Sequence, residues 1–172
     1  EFVIQQVGGD VLDDDDSATL IAKITSALNT QPINNNALIQ NVGFTAVCAA
    51  NAMTITLTNA AGSAPSSISP AKIAFGNSTI STGQFSILSR TSTLALTIPS
   101  GASLGQRDTI ASKIYVYGLN DSGTLRLMVC RMKLDESKSY TTVSIVGAST
   151  SYKYYADGVY TGRIRLLCCI EN

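Results

Sequence analysis

Histidine and tryptophan are both absent from this sequence of 172 residues, and charged residues make up only 14% of it. The lack of histidine removes the commonest general base and the commonest metal ligand, and with them any Ser-His-Asp or Cys-His machinery. No apolar run approaches the ~18 residues that a membrane-spanning helix needs. These absences predict a protein that is not an enzyme, has no cofactor and does not insert into a membrane.

The charge that is present is unevenly distributed. Twelve basic residues balance twelve acidic ones, so no general attraction to nucleic acid is expected. Residues 1–40, however, contain six acidic residues and one basic residue, a net charge of −5, whereas residues 41–172 carry +5. Two segments of opposite sign indicate two different roles, and the positive segment favours anionic partners.

The acidic segment contains one predicted helix, at Asp16–Asn29. Asp16 or Ser17 can cap its first turn, the preceding aspartates favour the positive end of the helix dipole, and Pro32 follows its end. The aspartate run could also be a calcium loop, but it lacks the glycine and the distal glutamate of such a loop. We therefore interpret residues 1–40 as a neck or linker whose helix packs either on its own domain or on copies of itself. Its apolar residues recur at helical spacing: Leu20, Ile21, Ile24, Ala27 and Leu28.

After residue 40, short β-rich runs alternate with clusters of Gly, Ser, Pro and Asn. Such regular alternation, with no helical stretch, predicts an all-β domain at residues 41–172, specifically a jelly-roll β-sandwich. Asn120-Asp121-Ser122-Gly123 is predicted to be a tight hairpin turn in which Gly123 has positive φ. The predicted strands are Phe44–Cys48, Met53–Thr58, Ala71–Phe75, Gln84–Leu88, Thr93–Ile98, Lys113–Leu119, Thr124–Leu134, Ser139–Val146 and Arg163–Ile170.

Two of these strands are expected to lie in the sheet interior. Lys113-Ile114-Tyr115-Val116-Tyr117 has bulky residues on both faces, which is typical of a strand buried on two sides. The strand Arg163–Ile170 is expected to lie within the sheet, in the core of the sandwich.

Three stretches resemble the C-terminal tip domains of phage and prophage tail-fibre proteins. They are AMTITLTNAAGSAPSSISPAKIAF, LALTIPSGASLG and SKIYVYGLNDSGTLRLMV, with a weaker echo in RIRLLCCIE. The similarity covers roughly residues 45–130, while residues 131–162 match no pattern of these domains. The tip domains and the related tail-needle knobs look like the jelly rolls of tumour necrosis factor and C1q. Phage-derived trimeric adhesins of predatory bacteria carry similar tips.

The resemblance implies a homotrimer with a short N-terminal helix as its neck. It further implies a receptor-binding fibre tip that adheres to a bacterial surface polysaccharide or lipopolysaccharide. Such a protein is located at a virion tail tip, or outside the cell if it is a bacterial adhesin. The alternative is a structural knob that registers the trimer and caps a fibre or tail needle, with no specific ligand.

A tyrosine-rich segment provides the candidate ligand site. Five of the seven tyrosines fall between Tyr140 and Tyr160, among small polar residues typical of recognition loops. Tyrosine offers a face for sugar stacking, and charged neighbours add hydrogen bonds. The alternative is a hairpin strand in which Tyr152 and Tyr154 share one face and pack on the sandwich or on the trimer seam, although Tyr155 would then point the other way and is expected to be exposed. The predicted site consists of Tyr152, Lys153, Tyr154, Tyr155 and Asp157.

The cysteines and carboxylates carry weaker signals. The four cysteines, Cys48, Cys130, Cys168 and Cys169, are predicted to be small buried residues; a disulfide or a zinc site remain alternatives, although no CxxC spacing is present. Adjacent Cys168 and Cys169 must face opposite sides of a strand. The carboxylates show no facing pair of the kind that glycoside hydrolysis needs, and Asp135–Lys138 is interpreted as a solvated turn. No catalytic residue is therefore predicted.

Overall fold

A computed structural model describes residues 38–77, 85–105, 113–146, 150–151 and 153–171. All of them belong to one unit, Ala37–Asn172. The predicted helix at Asp16–Asn29 lies outside the described residues. Ile39 and Gln40, which fall within the predicted neck, form a short strand of the domain.

The described residues form β-strands, turns and loops, with no helix among them. The prediction of an all-β domain is thus confirmed. The strands are β1 (Ile39–Gln40), β2 (Gly43–Ala49), β3 (Ala52–Thr58), β4 (Ala71–Gly76), β5 (Phe85–Arg90), β6 (Leu94–Ile98), β7 (Lys113–Asp121), β8 (Thr124–Cys130), β9 (Ser139–Thr141), β10 (Val143–Ser144), β11 (Tyr155–Ala156) and β12 (Thr161–Glu171).

The strands build three sheets in a sandwich-like arrangement. The largest has six strands in the order β10-β11-β8-β7-β12-β9, and the smaller ones have the orders β1-β4-β5 and β2-β3-β6. Apart from the parallel pair β10–β11, neighbouring strands are antiparallel. Strands β5 and β6 pack against β8, and β4 packs against β12, so both small sheets cover one face of the large sheet.

That covered face, called the inner face here, carries an aliphatic core. Alternate residues of each strand point to it, as the period of two requires. Ile55 and Leu96 of the sheet β2-β3-β6 meet Val116 and Leu127 of the large sheet, and Phe75 of β4 meets Leu125 of β8. Phe75, Ile55 and Val116 have no solvent exposure.

The opposite face of the large sheet, called the outer face, is also buried. Its residues are Tyr117, Leu119, Met128, Cys130 and Ile164, and they are at most 1% exposed. They are covered by Tyr140 of β9 and by side chains of the irregular segments around β9 and β11, namely Leu134, Tyr154 and Tyr160. Burial on both faces confirms the prediction for Lys113–Tyr117, and the position of β12 between β7 and β9 confirms that its strand lies within the sheet.

Two-residue turns connect the central hairpins. Gly123 has a φ of 93° and Ser122 one of 49°, which confirms the predicted turn between β7 and β8. Ala50 and Asn51 also have positive φ, 49° and 60°, and close the hairpin β2–β3. Two successive positive φ values match the right-handed twist of the flanking strands. Alanine is rarely found in this conformation, so the residue types at the second turn do not indicate it clearly.

Two predicted strands are shorter than expected. Near the point where each one ends, a side-chain hydroxyl forms hydrogen bonds with backbone groups. Strand β8 ends at Cys130, after which the backbone N–H of Leu134 donates to the Tyr117 hydroxyl at 2.8 Å. The run Ser139–Val146 is interrupted at Thr142, which is fully buried. Its hydroxyl donates to the Gly158 carbonyl oxygen and accepts from the Tyr160 backbone N–H, both at 2.9 Å.

Candidate functional site

Tyr155 lies in the core and is 3% exposed, so the expectation that it is exposed is wrong. It belongs to β11, whose only paired position on β8 is opposite Val129, and its ring packs on the inner-face cluster. The Tyr155 hydroxyl is 2.9 Å from the Ser151 hydroxyl and donates to the Ser151 carbonyl oxygen at 3.2 Å. Both faces of a buried ring are occupied by protein, so it offers no surface on which a sugar could stack.

Tyr154 points the other way and joins the cover of the outer face. Its ring meets the Tyr140 ring edge to face, with centroids 5.0 Å apart and an interplanar angle of 75°. Tyr160 packs on the same cluster and holds the Arg126 guanidinium 4.4 Å from its ring centroid. Tyr140, Tyr154, Tyr155 and Tyr160 therefore contribute to packing, as the alternative interpretation predicted for Tyr154.

The other predicted site residues are charged or lie outside the described residues. Lys153 and Asp157 are exposed, while Tyr152 is among the residues that the structure does not describe. The segment thus presents one cation and one anion to solvent, beside a half-buried Tyr154. It does not bring the predicted set together as one open aromatic surface.

The turn Asp135–Lys138 is only in part the solvated turn that the sequence indicated. Asp135 is solvated, and the Ser137 hydroxyl and backbone N–H that donate to its carboxylate lower its pKa. Glu136 instead forms an ion pair with Arg165 and accepts a hydrogen bond from the Leu166 backbone N–H at 3.0 Å. The N–H of Leu166 precedes an irregularity in the pairing of β12 with β7, between Leu166 and Cys168. Glu136 therefore fastens the loop to β12.

Of the four cysteines, one is buried, one is half-buried and two are exposed. Cys130 is buried and Cys168 is half-buried, and burial raises the pKa of each to about 11, which keeps the thiol protonated and unreactive near neutral pH. Cys48 and Cys169 are exposed, contrary to the prediction that all four are buried. All four are free, and the described residues contain no group of three His, Cys, Asp or Glu side chains that could hold a metal ion.

A polar cavity of about 300 Å³ opens where the hairpin β4–β5 meets the large sheet. Gly76, Asn77 and Ser86 line it from the small sheet. Asn120, Ser122, Gly123, Ser139, Gly162 and Arg163 line it from the large sheet and from the β7–β8 turn. Its wall combines one guanidinium with hydroxyl and amide groups. We call it the Arg163 cavity.

A second cavity, of about 230 Å³, lies at the other end of β7, near Ile114. The β2–β3 turn and the loop after β6 form its wall, which includes Cys48, Met53, Pro99, Leu104 and Arg131. Most of these side chains are apolar, so fewer polar side chains line this cavity than line the Arg163 cavity.

Neither Arg163 nor Asn120 is among the site residues predicted from the sequence. A signal was present in Arg163-Ile164-Arg165-Leu166, where two arginines alternate with two apolar residues and therefore share one face of a strand. The sequence pattern did not show which group each arginine contacts. Arg165 is matched by Glu136, which lies 29 positions away in the chain, and only the fold brings the two together.

No protein-family model, no curated protein and no solved structure matches this chain. Among the described residues, none belongs to a helix with the length and hydropathy that crossing a membrane requires. Function is therefore inferred from the residues and their geometry, together with the resemblance noted in the sequence.

Proposed function

We propose that this chain is the receptor-binding tip of a trimeric fibre, with a jelly roll similar to those of tumour necrosis factor and C1q. On this proposal it adheres to a glycan of a bacterial surface, as part of a virion tail tip or of an extracellular adhesin, and catalyses no reaction. The tail-fibre resemblance of residues 45–130 supports the proposal, and the sandwich-like arrangement of sheets is compatible with it.

The observation that carries the trimer is the apolar surface of two edge strands. Strand β2 is an edge of the sheet β2-β3-β6, and its Val47 is 60% exposed. Strand β5 is an edge of the sheet β1-β4-β5, and its Phe85 and Ile87 are 50% and 41% exposed. Exposed edges with apolar side chains invite association, and neighbouring subunits around a threefold axis would cover them.

Light scattering on the full chain tests the trimer, with an expected mass of three times 18.1 kDa. Val47→Asp and Ile87→Asp should each favour the monomer, because a carboxylate buried at a subunit contact loses its hydration. Ile68→Asp is the matched control, since Ile68 is 94% exposed and lies outside the strands. A wild-type chain that is a monomer at micromolar concentration contradicts the proposal.

Adhesion is tested by binding of the labelled trimer to bacterial cells. Three weak sites on one axis raise apparent affinity by roughly 10²–10⁴ when all can engage, so a variant made monomeric should lose cell binding. Ile68→Asp should bind like the wild type. A monomeric variant that binds cells as tightly as the trimer would contradict a mechanism based on three sites.

A second function, a structural knob without a ligand, is favoured by one observation. The rings of Tyr154 and Tyr155, the best candidates for sugar stacking in the sequence, contact the protein itself. A trimer that binds no cells across a panel of bacteria and glycans would support the knob. Specific binding that a free glycan competes away would support the receptor-binding tip.

A further inference from the structure

The Arg163 cavity has a row of polar side chains built into the register of the large sheet. Arg163 of β12 pairs with Asn120 of β7 on one side and with Ser139 of β9 on the other. Residues directly opposite each other on neighbouring strands point to the same face. The guanidinium, the amide and the hydroxyl are thus held side by side on three hydrogen-bonded strands, and all three line the cavity.

Arg163 differs from Arg165, its neighbour on the same face. Arg165 is matched by the Glu136 carboxylate and donates from Nε to the Ala74 carbonyl oxygen at 3.0 Å. The Nε of Arg163 is buried and has no hydrogen-bond partner in the part of the chain that the structure describes. Burial of a polar donor without a partner is costly. The Nε atoms of Arg126 and Arg131 are in the same state, but of the three arginines only Arg163 lines the polar cavity.

Asp135 carries an opposite charge that interacts with Arg163, but it does not supply the missing acceptor. Asp135 is close enough for Arg163 to contribute to the lowering of its pKa, but that contribution is smaller than those of Ser137 and Lys138. Asp135 directs its carboxylate to the Ser137 hydroxyl at 2.7 Å. Among the described residues, no carboxylate forms an ion pair with Arg163.

The rest of the wall supplies neutral groups in fixed positions. The backbone N–H of Gly123 donates to Asn120 Oδ1 at 2.8 Å, which orients the Asn120 amide within the turn. At Gly162, a Cβ atom would lie 1.8 Å from the Asn120 carbonyl oxygen, so only glycine permits the close approach of β12 to β7 that places Arg163. Ligand cavities span roughly 300–1,000 Å³, and one at the lower end suits a single sugar ring.

We infer that the Arg163 cavity binds the acidic group of a sugar residue, a carboxylate or a phosphate, within a surface polysaccharide. The guanidinium fork donates two parallel hydrogen bonds to the oxyanion, which is the geometry that arginine recognises best. The Asn120 amide and the hydroxyls of Ser139 and Ser86 bind the hydroxyl groups of the sugar. This inference rests on the proposed function and gives its ligand a chemical class.

The experiment titrates the full-length chain with D-glucuronic acid, glucose 6-phosphate and glucose, followed by NMR or calorimetry. Affinities on the order of millimolar are expected for such small ligands. At least one acid should bind about tenfold more tightly than glucose, because the charged acceptor strengthens each hydrogen bond from the guanidinium. Preference for glucuronic acid would identify a carboxylate ligand, and preference for the phosphate a phosphorylated one.

Three variants locate the site. Arg163→Ala should weaken binding of the preferred acid by about tenfold or more. Asn120→Asp keeps the oxygen that accepts from Gly123 and adds a negative charge at the cavity wall, so it should weaken acid binding more than glucose binding. Lys153→Ala removes an exposed cation from the tyrosine-rich segment and should bind like the wild type.

Several results would overturn the inference: equal binding of acids and glucose, no binding of either acid, or loss of acid binding in Lys153→Ala but not in Arg163→Ala. If Arg163→Ala does not fold, as judged by circular dichroism, Asn120→Asp decides the question. A wild-type trimer that binds cells without acid preference refutes this inference alone. A monomer that binds no cells but shows Arg163-dependent acid binding refutes the proposed function and supports the cavity.

Discussion

The two faces of the six-stranded sheet are equally buried but by different means. The inner face packs against two further sheets through aliphatic side chains and Phe75. The outer face is covered by Tyr140 of β9 and by Leu134, Tyr154 and Tyr160 of irregular segments, which lie over Tyr117 and Met128. Regular strands satisfy their own backbone groups, whereas irregular segments need other partners for them.

Tyrosine supplies the outer cover with buried apolar area and with hydrogen-bond partners for backbone groups. Its ring buries apolar area, and its hydroxyl accepts backbone N–H groups that no neighbouring strand can reach. The Tyr117 hydroxyl accepts from Leu134, and the Tyr140 hydroxyl accepts from the Asp135 backbone N–H at 3.1 Å. Tyr140, Tyr154, Tyr155 and Tyr160 thus have structural roles, and aromatic content alone does not identify a binding loop.

The largest expected effect is on the inner face. Phe75→Ala should lower the free energy of unfolding by about 3–5 kcal/mol, because Phe75 has no solvent exposure and its removal leaves a cavity between sheets. Chemical denaturation followed by circular dichroism measures the change. A loss smaller than that of the outer-face variant Tyr154→Ala would reverse the comparison of the two faces.

Glu136 connects the outer cover to the inner face, so its removal should have the next largest effect. Glu136→Ala leaves the Arg165 side chain, which is 14% exposed, without its carboxylate, and leaves the Leu166 N–H without an acceptor. We expect a loss of about 2–3 kcal/mol, below the usual cost of breaking a fully buried ion pair because Glu136 is 30% exposed. Glu136→Gln, which keeps an acceptor for Leu166, should lose less. Equal stability of all three proteins would contradict the fastening role.

Tyr154→Ala tests the outer cover itself. Tyr154 is only half-buried, and the variant loses its edge-to-face contact with Tyr140, so we expect a loss of about 1–2 kcal/mol. Tyr154→Phe keeps the ring and should retain nearly all of the stability. If the alanine variant is as stable as the wild type but fails to bind cells, Tyr154 acts in recognition rather than in packing.

The pH dependence of stability above pH 10 should distinguish the contribution of the Tyr117 hydroxyl from that of its ring. Burial raises the pKa of Tyr117 from 10.0 to about 12, so between these values the unfolded chain holds fewer protons and stability falls as the pH rises. Tyr117→Phe should be about 1 kcal/mol less stable at pH 7, since the Leu134 N–H loses its acceptor, but should lose less between pH 10 and 12. The buried Cys130, whose pKa is about 11, contributes equally to both proteins. If the stability of the wild type and of Tyr117→Phe falls in parallel above pH 10, the Tyr117 hydroxyl is not the cause of the fall.

The smallest effect is expected at Cys169, which faces solvent beside the half-buried Cys168. Cys169→Ser should change stability by less than about 0.5 kcal/mol, whereas Cys168→Ser should cost about 1 kcal/mol because its thiol packs on the inner core. Alkylation by iodoacetamide at pH 8 should reach Cys48 and Cys169 well before Cys130 and Cys168. If iodoacetamide reacts faster with Cys168 than with Cys169, the assignment of Cys168 to the inner face and of Cys169 to solvent is wrong.

Local pattern was enough to predict most strands of the domain. The alternation Met53-Thr54-Ile55-Thr56-Leu57-Thr58 predicted β3 with Ile55 and Leu57 inside, and both have no exposure. The Ser122–Gly123 turn was predictable because its φ values restrict the residue types that fit. The short strands β1 and β11 were not predictable, since two residues carry no periodicity and their pairing depends on distant strands.

The candidate site was predicted less well than the fold, for a physical reason. The sequence marked residues by type, and tyrosine is equally suited to sugar stacking and to packing against a sheet. Which role applies depends on whether another segment covers the ring, and Tyr155 is covered while Lys153 is not. Arg163 and Arg165 are alike in sequence, yet one meets Glu136 and the other lines a cavity.

The sequence by itself determined the features that depend on neighbours along the chain: the β-class, the positions of most longer strands and the β7–β8 turn. Side-chain alternation and local backbone preferences produce these features, and both act within a few residues. The tertiary structure alone decided which faces are covered, which of two arginines is neutralised and where a polar cavity opens. Such outcomes arise from contacts between distant segments, such as Glu136 with Arg165 and Asn120 with Arg163, and no short stretch of sequence contains both partners.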